Sequence, residues 1–398
     1  MREMLEQANL ALLAEIDLLI DALPRKETIA VELASYYDQI MKSCRSLRRK
    51  INQSLRDLKK GSAEILEDIL SNTQTHTREF HLYNYRLVTP LRRYRESDLL
   101  CLKIIRWLHQ VHPETQKIPG AFCDGDVGIY PSVGYPITYF MPSSAQYGLL
   151  YLPLFFHEFG HLLYSCHKAE MDQLVFELQK KIDTILKQEL LNQSAKRPKD
   201  AQKRRVVVQT WFTWTQELFC DAVGFRIGGL SYVYAFSMYL KMWGIDRFHL
   251  IYEKLARSSH PIAWLRIKFL AHFLEQTGFY AVAQRLTDEW QSIANALNVK
   301  ENYFGFYHPN FQQPILDTIE NMLTETAPYK FNSHQKSKRT SASPIHLLNL
   351  AWQKFYEAPK KYPRWEKQAV VDFLAAFKAR HPIRRRYKNP QNTGQSLQ

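Results

Sequence analysis

The stretch "LPLFFHEFGHLLYSCH", residues 152–167, constrains this chain more than any other. His157 and His161 stand four apart, and on a helix residues four apart share one face. Two imidazoles on one face can bind a single metal ion, and Glu158 sits beside them within reach of a water on that ion. Zinc with three protein ligands and a bound water is the common catalytic arrangement. The metal acidifies the water and polarises a carbonyl while the glutamate takes the proton. Phe155, Phe156, Leu162 and Leu163 flank the pair, so the imidazoles are expected to be semi-buried. Unpartnered histidines in apolar surroundings are costly.

A third ligand can come from two places. His167 falls at the last position of H-E-x-x-H-x-x-G-x-x-H. That pattern needs a turn-making glycine where this chain has Tyr164. If the helix runs on, His167 lies about 240° around the axis from His161 and points away. The second place is "WTQELFCDAVG", 214–224. Glu217 and Asp221 are four apart among Trp211, Phe212, Trp214, Leu218, Phe219 and Val223. Two acids in such surroundings need a reason. One can bind metal and the other can hold the far nitrogen of a ligand histidine.

A third stretch, "HPIAWLRI" at 260–267, completes an order. H-E-x-x-H, E-x-x-x-D and H-P-x-x-x-x-R-I together resemble the gluzincin zinc metallopeptidases, most closely soluble relatives of the CaaX prenyl endopeptidase and HtpX-type family. The resemblance implies one zinc ion per chain on His157, His161 and Glu217, with Glu158 as general base. It implies that Asp221 orients a ligand histidine, that Arg266 organises the surroundings and that His260 steadies the oxyanion. Tyr232 and Tyr234 are weaker candidates for that last role. The strand-like "GYPITYFMP" (134–142) stands where zincins carry an edge strand that pairs with substrate, which makes Ile137 and Tyr139 candidate substrate contacts. The named relatives are membrane proteins, so prenyl and membrane substrates do not carry over.

The expected fold is mostly α (α+β). A zincin-like catalytic domain (116–330) with a small strand region follows an N-terminal helical bundle or arm (1–115). A linker (331–345) and C-terminal helices with a basic tail (346–398) complete the chain. Helical periodicity covers 1–23 up to Pro24, about 27–60, 62–72 and 97–111. Gly- and Pro-rich residues 117–144 read as loops and one or two short strands. Helices are expected at 168–191 and 206–227, separated by a polar loop that could form a lid over a site.

No window reaches eighteen uninterrupted apolar residues, and "GGLSYVYAFSMYLKMWG" (228–244) is broken by Lys241. The N-terminus mixes acids into its apolar run, unlike a secretory signal. Five scattered cysteines without a C-x-x-C pair suit the cytoplasm. Among them Cys123 could cap a zinc ion as a thiolate. The net charge of +14 is concentrated at 44–60, 86–95, 195–205 and 384–388. Such patches are either solvated helix faces or a surface for an acidic partner or nucleic acid. The expected function is therefore a zinc-dependent peptidase, with protein or peptide as substrate and selective regulatory cleavage as its use. The alternative is a non-catalytic helical protein that binds nucleic acid or a protein partner around a zinc-stabilised core.

Overall fold

The computed structural model describes residues 1–60, 65–130, 135–192, 198–242, 246–299, 303–331 and 343–380. The described residues are mostly helical, with one small sheet among them. The N-terminal helices are α1 (Arg2–Asp21), α2 (Ala34–Lys60), α3 (Leu66–Leu82), the single turn α4 (Thr89–Arg92) and α5 (Leu99–Val111). Strands β1 (Gly120–Asp124), β2 (Gly128–Tyr130) and β3 (Ile137–Met141) follow. Then come α6 (Phe155–Cys166), α7 (Lys168–Asn192), α8 (Pro198–Gly228), α9 (Leu230–Met242) and the short α10 (Tyr252–Leu255). The chain continues through α11 (Ala263–Gln276), α12 (Tyr280–Ala296), α13 (Gln312–Thr326), α14 (Pro344–Glu357) and α15 (Tyr362–Arg380).

In the first three helices a single apolar stripe faces inward. Leu5, Leu12, Ile16 and Leu19 are buried on α1, and Tyr36, Ile40, Cys44, Leu47, Ile51 and Leu58 on α2, which is the spacing of one helix face. α3 runs ten residues past its expected end. Its polar run "SNTQTHT" hides the period, but Thr73, His76 and Phe80 are buried on one face. Thr73 accepts a hydrogen bond from buried Asn9 of α1 at 2.8 Å. With a second donation to the Leu5 carbonyl, also at 2.8 Å, it occupies the buried Asn9 amide nitrogen.

The sheet order is β1-β3-β2, with β1 parallel and β2 antiparallel to β3. It lies directly on α5: a Cβ at Gly120 would come 2.9 Å from Ile105 and 3.1 Å from His109. One buried cluster runs from Leu12 of α1 to Phe373 of α15, so the core passes unbroken across the expected boundary at 115/116. A smaller cluster of Leu5, Leu58 and Ile69 closes the far end of the N-terminal helices.

Two expectations are corrected here. The polar loop before residue 206 is shorter than expected, because α8 already begins at Pro198. Proline is preorganised for a helix start, and the Lys, Ala, Gln and Arg that follow are good helix formers. The "edge strand" at 134–142 is the central strand: β3 is paired on both sides, so its main chain has no free edge for substrate. Ile137 and Tyr139 are both buried, and Tyr139 contacts His109 Nε2 through its hydroxyl at 3.1 Å. They cannot serve as the substrate contacts expected of them. The edge that lies against α6 belongs to β2, too short a strand to show an alternating pattern.

Residues 332–342, most of the expected linker, lie outside the described residues. So do 193–197, within the expected lid, and the basic tail from 381. Among the described residues no helix is long and apolar enough to cross a membrane.

Candidate metal centre

Helix α6 carries two faces with different tasks. Phe155 packs edge-on against Phe122 and Tyr139 of the sheet. Phe159 lies against the rings of His109 and His112 at the end of α5. These aromatic contacts hold the helix so that His157 and His161 face α8.

Helix α8 crosses α6 at Gly160. A Cβ there would lie 2.8 Å from the Cα of Cys220, a contact side chains essentially never make. Glycine in the middle of the motif is therefore what lets the two backbones touch. The C-terminal half of α8 is buried on nearly every side, with Trp211, Trp214, Leu218, Phe219 and Val223 in the core, as expected of a helix that is apolar all round.

This crossing brings the ligand candidates together. His157 Nε2 lies 3.3 Å from Glu217 Oε2, and His161 Nε2 lies 3.5 Å from Glu217 Oε1. The loop before α11 adds His260, whose Nε2 is 3.3 Å from Glu217 Oε2. Trp214 steadies that loop by donating its indole N–H to the Ser258 carbonyl at 3.1 Å.

Behind His157, Asp221 Oδ1 lies 2.9 Å from Nδ1. Asp221 also accepts two hydrogen bonds from Arg266, at 2.8 and 2.7 Å, and one from the Tyr232 hydroxyl at 2.8 Å. Tyr232 gets this close because Gly224 has no side chain: a Cβ there would fall 2.5 Å from the tyrosine ring. Phe236 of α9 stacks against His157 and carries the Arg266 guanidinium 4.7 Å above its ring.

The electrostatics follow from this wiring. Burial alone would pull His157 down, but the Asp221 and Glu217 carboxylates beside its two ring nitrogens outweigh it and raise its pKa to about 10. Burial pushes the other way on Glu217, yet His157, Arg266 and His161 hold its carboxyl far below the usual range. Asp221 is likewise lowered, chiefly by Arg266 and His157 against the cost of burial. His161 has no such partner behind it, and burial lowers it to about 4. Burial raises Glu158 to about 7, with His157 and Arg266 opposing the rise. That is near the operating range of a general base at neutral pH.

Whether these side chains suit a metal ion turns on one atom. Glu217 Oε2 is buried and has no hydrogen-bond partner, although two imidazole nitrogens and the Arg266 guanidinium approach within 3.5 Å. Ligands on a tetrahedral zinc ion are about 3.4 Å apart, from bond lengths of about 2.0–2.2 Å. His157 Nε2 lies 3.3 Å from Oε2 and His161 Nε2 lies 3.5 Å from Oε1, each a separation of that order.

Sequence reasoning missed one neighbour: His157, His161 and Cys220 each bring a donor atom within 4.8 Å of the others. This buried group could hold a metal ion. Cys220 stands three residues after Glu217 and therefore on the same side of the helix, a signal the sequence contained. Glu217 is held ionised, 3.3 and 3.5 Å from the Nε2 atoms of His157 and His161, whereas burial and the surrounding carboxylates raise the Cys220 thiol well above its ordinary value.

The remaining candidates lie elsewhere. His167 is at the C-terminal cap of α6 and faces Glu325 at 3.8 Å. Cys123 is in β1, a buried free cysteine. The Tyr232 hydroxyl donates to Asp221, so it is not an available oxyanion donor, while Tyr234 accepts from Arg285 and packs its ring against Trp352 and Tyr356 of α14. Comparison with known protein families, with curated proteins and with solved structures finds no match to this chain.

Proposed function

We propose that this chain is a zinc-dependent peptidase of the gluzincin type, with a zincin-like catalytic region built on α6, α8 and α11. The observation that carries this reading is the convergence of the His157, His161 and His260 Nε2 atoms on the one buried carboxylate of Glu217. His157, His161 and Glu217 are the ligands. A zinc ion held there supplies Lewis acidity and lowers the pKa of a water. Asp221 accepts the His157 Nδ1 proton, which turns the Nε2 lone pair toward the ligand cluster. Arg266 and Tyr232 keep Asp221 in place and ionised.

Glu158 is the general base, taking a proton from the attacking water and passing it to the leaving amine. Its buried carboxyl and near-neutral pKa suit both steps. His260 is the oxyanion donor. Its side chain is 55% exposed, so it borders the open side of the site. Its Nδ1 lies 2.8 Å from the Ser259 hydroxyl, and when that hydroxyl donates, Nε2 carries the hydrogen an oxyanion needs. A protein or peptide substrate would lie extended along the free edge of β2, beside α6. Free cysteines throughout the chain fit a cytoplasmic enzyme.

Zinc content of purified wild type, Glu217→Ala and His167→Ala tests the ligand set. About one zinc per chain in wild type, lost only in Glu217→Ala, supports it; loss in His167→Ala instead overturns it. A second reading, a binding protein with a purely structural zinc, rests on Cys220 beside the two histidines. It requires Cys220→Ala to lose the metal, whereas the peptidase reading requires that variant to keep it.

A further inference from the structure

The outer face of α2 has no part in the site above. Tyr37, Asp38, Met41, Lys42, Arg45, Arg48, Arg49 and Asn52 line a groove of about 560 Å³ along this helix. Their spacing follows the helical repeat, so they form one continuous strip. All four cations are exposed.

The acids near this strip are already occupied. Asp38 is held by Lys26 at 2.6 Å and Asp17 of α1 by Arg48 at 2.6 Å. Glu79 of α3 is held by Lys50 at 3.0 Å. Lys42, Arg45 and Arg49 have no ion-pair partner among the described residues. Lys42 and Arg49 stand seven positions apart, about 10 Å of helix, or about three phosphate steps of one nucleic-acid strand at 3.4 Å each.

We propose that this face of α2 binds the phosphodiester backbone of nucleic acid without regard to sequence, through Lys42, Arg45 and Arg49. The strip offers charge and very little else. A lipid surface would need apolar side chains beside the cations, and those of α2 are buried in the core: Tyr36, Ile40, Cys44, Leu47, Ile51 and Leu58. A protein partner would need an apolar centre to the interface, and the groove has only half-buried Tyr37 and Met41. Phosphate asks for neither, and arginine forks suit it. The chain's net charge of +14 favours the same encounter at longer range.

The experiment is a fluorescence-anisotropy titration of the full chain with a labelled 20-base-pair DNA duplex of arbitrary sequence (~20, a length chosen to exceed the strip), repeated from low to physiological salt. Wild type should bind, and a scrambled duplex should bind equally well. Lys42→Gln/Arg45→Gln/Arg49→Gln should weaken binding at least about tenfold and lower the log–log salt slope by about 3. These side chains are outside the core, so an unchanged melting temperature and zinc content show that the variant is folded. Unchanged affinity and slope in that variant would overturn the proposal, as would absence of binding by wild type. Equal competition by poly-glutamate would assign the face to acidic protein instead, and preferential binding to phosphatidylserine vesicles would assign it to a membrane. None of these outcomes depends on peptidase activity, so failure here leaves the reading of the metal centre untouched.

Discussion

The cluster between α6, α8 and α11 and the outer face of α2 are both strongly charged, yet they are built on opposite terms. In the cluster the buried charges lean on one another: Arg266 on Asp221, Asp221 on His157 and Tyr232, and Glu217 on His157 and Arg266. On α2, Lys42, Arg45 and Arg49 are exposed, with no ion-pair partner among the described residues. The difference is one of solvation. Removing an ion from water costs several kcal/mol, so a buried charge persists only with partners. An exposed one costs almost nothing and can wait for a partner from outside. Buried wiring therefore points to chemistry within the chain, and exposed charge to an encounter.

The sharpest way to break this contrast is Glu158→Gln. It should keep zinc while peptide cleavage falls about 10²–10⁴-fold, as loss of a general base does; cleavage at the wild-type rate would remove the proposed mechanism. Next is Arg266→Met, which strands Asp221 without its cation. Breaking one side of a buried pair costs about 3–5 kcal/mol, to be read from the urea midpoint. A negligible shift would mean that the cluster is far wetter than its burial implies.

Acidification probes the support behind the cluster. Burial lowers His109, under Phe159, to about 4. Between about pH 6.5 and 4 the unfolded chain binds a proton that the folded chain refuses, so stability falls as pH drops through that window. The loss from this group is about 3 kcal/mol at its fullest. A His109→Gln variant should show a flatter pH–stability curve over the same range. A smaller effect is expected from Gly160→Ala. It forces α6 and α8 apart at Cys220, and overpacking of this kind costs about 1–3 kcal/mol. Zinc affinity should fall with it, because Glu217 is on the displaced helix. The smallest effect belongs to the α2 face, where each neutralising substitution should change stability by less than about 0.5 kcal/mol.

Much of the candidate site was legible in order along the chain. HEFGH, ELFCD and HPIAWLRI each carry a local spacing, and the structure brings His157, His161, Glu217, Asp221, His260 and Arg266 into one cluster. What was not legible is instructive. The motif pattern gives Gly160 no role, yet its missing side chain sets the closeness of α6 and α8. Cys220 shares a helical side with Glu217, but only the crossing shows which part of that side meets the histidines. The pairing of β3 on both edges depends on β2, three residues that no periodicity could reveal. Asn9 and Thr73 are polar residues whose spacing alone does not mark them as buried; their mutual hydrogen bond lies inside the α1–α3 contact.

By itself the sequence determined what is local. Helical faces follow from the 3.6-residue period, the spacing of the two histidines from one turn, and the surplus of positive charge from composition. Which faces meet, which strand is left as the edge and which carboxylate lies among the imidazoles were decided only by the tertiary structure. Those outcomes rest on contacts between residues far apart in the chain, such as His157 with Glu217 and Asp221 with Arg266. Such contacts depend on the packing of every helix between them, and no local spacing encodes that.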